Sequence, residues 1–173
     1  MNKTFKFVSL VACSLLLSQS ALAVVVGDPY KAPIVMRMDG KASLSADTLK
    51  GKVTVINFWA TWCEACKVEL KEMEQVFAPL FPNRKFQFAM VSLDKEPKAA
   101  KNWVMTHLNA AKKMQQYLYS DAEFAAAGAL EVDAFPMTLI VGPDLKVVYV
   151  QRGFVEGSGA TQTLKKRAQA LLK

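Results

Sequence analysis

Val53-Thr54-Val55-Ile56-Asn57-Phe58, running on into Trp59-Ala60-Thr61-Trp62-Cys63-Glu64-Ala65-Cys66, decides the reading of this chain. The first part is apolar and rich in β-branched residues, the pattern of a strand buried on both faces. A helix follows at once: Cys66, Leu70, Met73 and Phe77 fall at i, i+4, i+7 and i+11, one apolar stripe, and Pro79 and Pro82 end it. Two cysteines three apart at a helix start can close a disulfide without distorting the turn. Cys63 lies at the N-terminal end, where unpaired N–H groups and the helix dipole stabilise a thiolate. Cys66 lies one turn in, on the apolar stripe, and is more shielded. Cys63 is therefore read as the attacking nucleophile and Cys66 as the resolving thiol, with Trp62 covering the approach.

Two acids stand close by. Glu69 follows Cys66 by three residues on the same helix, so its carboxylate can lie near the Cys66 sulfur. Spacing leaves two readings open. Either Glu69 is partly buried, with a raised pKa, and takes the Cys66 proton as acid/base, or it is an exposed helix glutamate like Glu72 and Glu74. Glu64, between the cysteines, disfavours a Cys63 thiolate and tilts the pair towards donating electrons, unless water screens it fully. Downstream, Phe135-Pro136 opens another strand, where a proline costs no ladder hydrogen bond; on residue chemistry alone a cis bond there is uncommon.

Working outward, Phe86 to Val91 reads as a second buried strand. Pro97 to Met114 reads as a helix with Ala100, Val104, Leu108 and Ala111 inward, and Gln116 to Tyr119 as a short strand. Ser120-x-x-Glu123 is a capping box for a helix over 121–127, with Gly128 after it. Met137 to Val141 and Val147 to Gln151 flank Gly142-Pro143-Asp144 as an antiparallel hairpin. A last helix begins near Thr161, with Leu164, Ala168 and Leu171 inward. Upstream, Ile34 to Met38 before Asp39-Gly40 suits a short N-terminal hairpin, with Met36 and Met38 packing in it. From residue 53 the order is β-α-β-α-β-α-β-β-α: an α/β protein with helices on both faces of a central mixed sheet.

The N-terminus reads as an export signal. Lys3 and Lys6 precede the apolar run Phe7 to Leu17, and Ala21-Leu22-Ala23 is a small-x-small cleavage site, leaving residues 24–173 as one domain. A lipobox-like Leu10-Val11-Ala12-Cys13, lipidated at Cys13, and an uncleaved membrane anchor are the rivals. Losing Lys3 and Lys6 takes the formal charge from +7 to +5, and no basic–aromatic cluster points to nucleic acid. Cleavage also leaves Cys63 and Cys66 as the only thiols, too few for a disulfide framework or a four-cysteine zinc site. His107 has no second ligand at metal spacing. The sequence calls for no metal and no cofactor beyond the redox-active Cys63–Cys66 pair.

Asn57-Phe-Trp-Ala-Thr-Trp-Cys-Glu-Ala-Cys66 resembles the active-site strand and helix of the TlpA/ResA-like thioredoxin family. Leu49-Lys-Gly-Lys52, Val91-Ser-Leu-Asp94 and Phe135-Pro-Met-Thr138 fit the same family, and the resemblance covers roughly residues 27–157. It implies a thioredoxin-like fold, a cis Pro136 facing the cysteines, and a Phe135 backbone that pairs with substrate. Asn57 stands where thioredoxin itself has a buried aspartate and would tune the pair. Glu69 matches a glutamate assisting the dithiol chemistry. The resemblance also implies an exported enzyme, a monomer often tethered to the membrane, that reduces disulfides in periplasmic proteins, apocytochrome c among them, with electrons from a membrane thiol donor. Lys71, Ala65 and Met137 depart from residues frequent in the family, and 95–120 is long. Two other functions fit the residues less well. Peroxide reduction needs Pro-x-x-x-Thr-x-x-Cys, whereas Ile56 and Ala60 hold those positions before Cys63. A redox-inert copper chaperone would want Cys-x-x-x-Cys and a nearby histidine.

Overall fold

The computed structural model of the protein describes residues 24–31, 35–38, 44–119, 132 and 134–173. The export signal, its Cys13 alternative, the Asp39-Gly40 turn and the helix expected over 121–127 lie outside the described residues. Six strands form one mixed sheet: β1 (Val35–Arg37), β2 (Val53–Trp59), β3 (Phe86–Ser92), β4 (Gln115–Tyr119), β5 (Met137–Val141) and β6 (Val147–Arg152), in the order β1-β4-β3-β2-β5-β6. β2, β3 and β4 are parallel to one another; β1, β5 and β6 join antiparallel to their neighbours. β1 pairs antiparallel with β4 and so extends the central sheet; the far arm of the expected hairpin, past Asp39-Gly40, lies outside the described residues.

Every residue of β2, β3 and β5 is buried, as expected for strands covered on both faces. On one face Val53, Val55, Trp59, Phe88 and Met90 pack beneath α2 (Glu64–Phe77), α3 (Pro97–His107) and α4 (Ala160–Ala170). On the other, Ile56, Phe58, Ala89, Leu139 and Val141 meet Leu44, Leu49, Val24 and Tyr30 from the N-terminal segment and the short α1 (Ala46–Leu49).

Two expectations need correction. The helix expected to reach Met114 stops at His107, because Leu108 takes extended dihedrals and a single 3-10 turn follows at Ala111–Lys113. The apolar stripe carries on regardless: Leu108, Ala111 and Met114 are all buried in the same core as Ala100 and Val104. Breaking the helix frees the Ala110 N–H, which donates to the Glu74 carboxylate. Glu74, expected on the surface, is accordingly buried.

Candidate active site

The site forms where β2 hands over to α2. Cys63 is the N-cap of α2, with extended dihedrals, and its Sγ accepts the Cys66 N–H at 3.2 Å. A sulfur there meets the unpaired donors of the first turn, the arrangement that favours a thiolate once the bond is reduced. The two sulfurs are bonded, S–S 2.04 Å, with Cα atoms 5.3 Å apart. Cys66 is fully buried and Cys63 lies at the edge of burial, 9% exposed, so only Cys63 offers itself to a partner.

The loop before Cys63 is pinned from β3. The buried Asp94 carboxylate accepts the Thr61 N–H at 3.0 and 3.1 Å, the Thr61 hydroxyl at 2.6 Å and the Ser92 hydroxyl at 2.7 Å. Trp62 then projects into solvent, 63% exposed, and meets Phe135 edge to face at 5.4 Å. The Phe135–Pro136 bond is cis, and the Pro136 carbonyl accepts the Gly153 N–H at 2.8 Å, which ties this loop to the end of β6.

Glu69 is fully buried under the sheet-facing side of α2. Its Oε2 accepts from Asn57 Nδ2 at 2.7 Å and its Oε1 from Gln151 Nε2 at 2.6 Å. Asn57 Nδ2 donates as well to Thr138 Oγ1 at 2.8 Å. Asn57, Thr138 and Gln151 sit opposite one another on β2, β5 and β6, a polar row across three adjacent strands on the face that α2 covers. Burial pushes the Glu69 carboxyl up from 4.5 to about 7; the Asn57 and Gln151 hydrogen bonds pull the other way, and the nearby Glu72 adds to the rise. Of the two placements left open by spacing, buried and exposed, the side chain takes the buried one.

Glu64 is exposed and paired with Lys67 on the next turn. Water and that partner both screen its charge. His107 is exposed, stacks on Trp103 and donates from Nδ1 to the Trp103 carbonyl. Among the described residues no three His, Cys, Asp or Glu side chains are grouped to hold a metal ion, and no helix is long and apolar enough to cross a membrane.

Sequence reasoning passed over Thr138, Gln151 and the tether made by Asp94. Two left a signal: Thr138 is the single polar residue of Met137–Val141, and Asp94 is an acid just past the end of a buried strand; Gln151, next to Arg152 at the end of β6, left none.

Known proteins carry the same frame. The chain is 26% identical over 115 residues to the thiol-disulfide oxidoreductase ResA of Bacillus cereus, and 29% identical over 105 residues to ResA of Bacillus subtilis. These matches take in 66% and 61% of this chain but 62% and 55% of the relatives' own length. Among solved structures, a Chlorobium tepidum protein assigned as thiol:disulfide interchange protein DsbE superposes with a TM-score of 0.71 at 20% identity, covering 87% of this chain and all of that one. The thioredoxin domain of a Bacteroides vulgatus thiol-disulfide oxidoreductase gives 0.65 at 22%, covering 84% and 99%. These likenesses establish the thioredoxin-like fold. The AhpC/TSA family model matches residues 26–150, a span that holds the Cys63–Cys66 pair, Glu69 and the cis-proline loop, and the chain belongs to that family.

Proposed function

We propose that this chain is an exported thiol–disulfide oxidoreductase that reduces disulfides in other proteins. The observation that carries the reading is the pairing of a rim sulfur, Cys63, with a buried one, Cys66, on the helix turn that also buries Glu69. In the reduced enzyme, the Cys63 thiolate attacks a substrate disulfide, forms a mixed disulfide and releases one substrate thiolate. Glu69, as a carboxylate, takes the proton from Cys66. The Cys66 thiolate then attacks the Cys63 sulfur, closing the Cys63–Cys66 bond and releasing the second substrate thiolate. Two electrons pass to the substrate, and a membrane thiol donor returns them. Trp62, Phe135 and Pro136 frame the approach to Cys63 and form the surface on which a substrate chain rests. Peroxide reduction is the weaker reading, because Ile56 and Ala60 stand where a peroxide-activating proline and threonine are needed.

The substrate class we favour is an extracytoplasmic polypeptide with a closely spaced cysteine pair, the haem-binding site of an apocytochrome c being one such pair. The test uses protein lacking residues 1–23, with insulin and an oxidised Cys-x-x-Cys-His peptide as substrates. Cys63→Ser is expected to abolish turnover and Cys66→Ser to accumulate a mixed disulfide at Cys63. Full turnover by Cys63→Ser would overturn the assignment.

A further inference from the structure

Glu69 is held by two amides, and the two are not equivalent. Asn57 is fully buried, and although its Oδ1 has no hydrogen-bond partner among the described residues, its Nδ2 donates at short distance both to Glu69 and to Thr138, so turning it over would give up two donations. Gln151 is half-buried, and beyond Glu69 its Nε2 reaches only the Gly153 carbonyl, at 3.4 Å. Gln151 Oε1 is buried with no hydrogen-bond partner among the described residues. Such an acceptor is costly where it is and becomes useful only if a donor faces it.

An ionised Glu69 is acceptor-only, and the two N–H donors suit it. A protonated Glu69 carries an O–H, which would point at an N–H in the present arrangement. Rotating the Gln151 amide half a turn presents Oε1 to that O–H. The rotation exchanges the 2.6 Å donation to Glu69 for an acceptance from its O–H, gives up the long contact to Gly153, pairs the orphaned oxygen and carries Nε2 to the place Oε1 leaves. Asn57 Oδ1 is a rival acceptor, also buried without a partner among the described residues, but bringing it round to Glu69 gives up two short bonds where turning Gln151 gives up one. Glu72 is the charged side chain that acts on it; β2, β5 and β6 bring Asn57, Thr138 and Gln151; and α4 meets α2 through Thr161, whose hydroxyl donates to Glu72. Arg152 turns away, donating to the Val24 carbonyl at 2.9 Å.

We propose that Gln151 is the positioning residue for Glu69 and that its amide reverses with the carboxyl's protonation, donating through Nε2 to the carboxylate and accepting through Oε1 from the acid. Gln151 thereby keeps one Glu69 oxygen hydrogen-bonded in both states, so a proton taken from Cys66 is accommodated without stranding a buried O–H. The role of this switch in turnover rests on the proton-accepting role given to Glu69 above; the reversal itself does not.

The side-chain NH2 signals of Gln151 and the carboxyl carbon of Glu69 can be followed by NMR across pH 5 to 9 in the oxidised protein. The expected result is one shared midpoint, with the Gln151 signals unmoved in Glu69→Gln. Gln151→Met should raise the Glu69 midpoint by about one pH unit, since a donor to the carboxylate is lost, and move the pH–rate profile of mixed-disulfide resolution with it. Gln151 signals that stay still while wild-type Glu69 titrates would overturn the proposal, as would an unmoved midpoint in Gln151→Met. The wild-type titration decides the matter even if Gln151→Met folds poorly. If instead Gln151 tracks Glu69 but Glu69→Gln resolves mixed disulfides at the wild-type rate, the switch stands and the role of Glu69 in turnover falls.

Discussion

Replacing Glu69 by Gln should make the oxidised protein more stable at alkaline pH and leave its relative stability near pH 4.5 as the baseline. Burial raises this carboxyl from 4.5 to about 7 in the folded protein. Between those values the native state holds a proton that the unfolded chain has released. Stability conferred by the acid form is therefore complete below pH 4.5 and is lost as pH rises through 7. The gap, at about 1.4 kcal/mol per pH unit, amounts to about 3 kcal/mol. Glu69 is fully buried, so water does not dilute the effect. Gln at this position has no charge to desolvate and no pH-dependent contribution. The assay is urea unfolding of wild type and Glu69→Gln, both oxidised, at pH 4.5, 6, 7 and 8. At an m-value of roughly 2 kcal/mol/M, the gap between their midpoints should widen by about 1.5 M from the lowest pH to the highest, in favour of the variant. Parallel pH dependences would refute the reasoning, because they would mean that Glu69 binds its proton equally in the folded and unfolded chains.

Two further substitutions probe what supports the site. Asp94→Ala strands the Thr61 N–H and two hydroxyls in a nearly dry setting and should cost about 2–4 kcal/mol in urea unfolding; it should also slow the attack of Cys63 on substrate by freeing the loop that carries Trp62. Glu74→Ala removes the acceptor of the Ala110 N–H and should cost about 1–3 kcal/mol, with faster amide hydrogen exchange at Ala110 as its local signature.

The dithiol was legible because its chemistry depends on spacing along one element: Cys63 and Cys66 share a turn of α2, and any helix begun there places them alike. The strands were legible for a related reason, since burial on both faces demands the continuous apolar runs of β2, β3 and β5. The end of α3 was not. Periodicity reports which residues are buried, and Leu108, Ala111 and Met114 are buried whether or not the helix continues to them. Glu74 was misjudged for the same cause, because its partner is a backbone N–H that exists only once the helix breaks. Glu69 stayed undecided because its environment is supplied by β5 and β6, and no pattern local to α2 records what lies beneath it. β1 was placed correctly along the chain, but its partner β4 lies about eighty residues further on, beyond the reach of any hairpin argument.

The polar row beneath α2 also bears on when the site is completed. Glu69 finds Asn57 twelve residues upstream, yet Asn57 meets Thr138 across 81 residues and Glu69 meets Gln151 across 82. Closing loops of that length is entropically slow, so β5 and β6 are expected to dock after the β2–α2–β3 unit has formed. Docking must also find the right pairing, because a slip of one residue along β2 would turn Thr138 to the opposite face of the sheet. A half-folded chain thus carries both cysteines while lacking the surroundings that set the proton affinity of Glu69. The acid beside the dithiol is matured by a long-range pairing of the chain's own sheet.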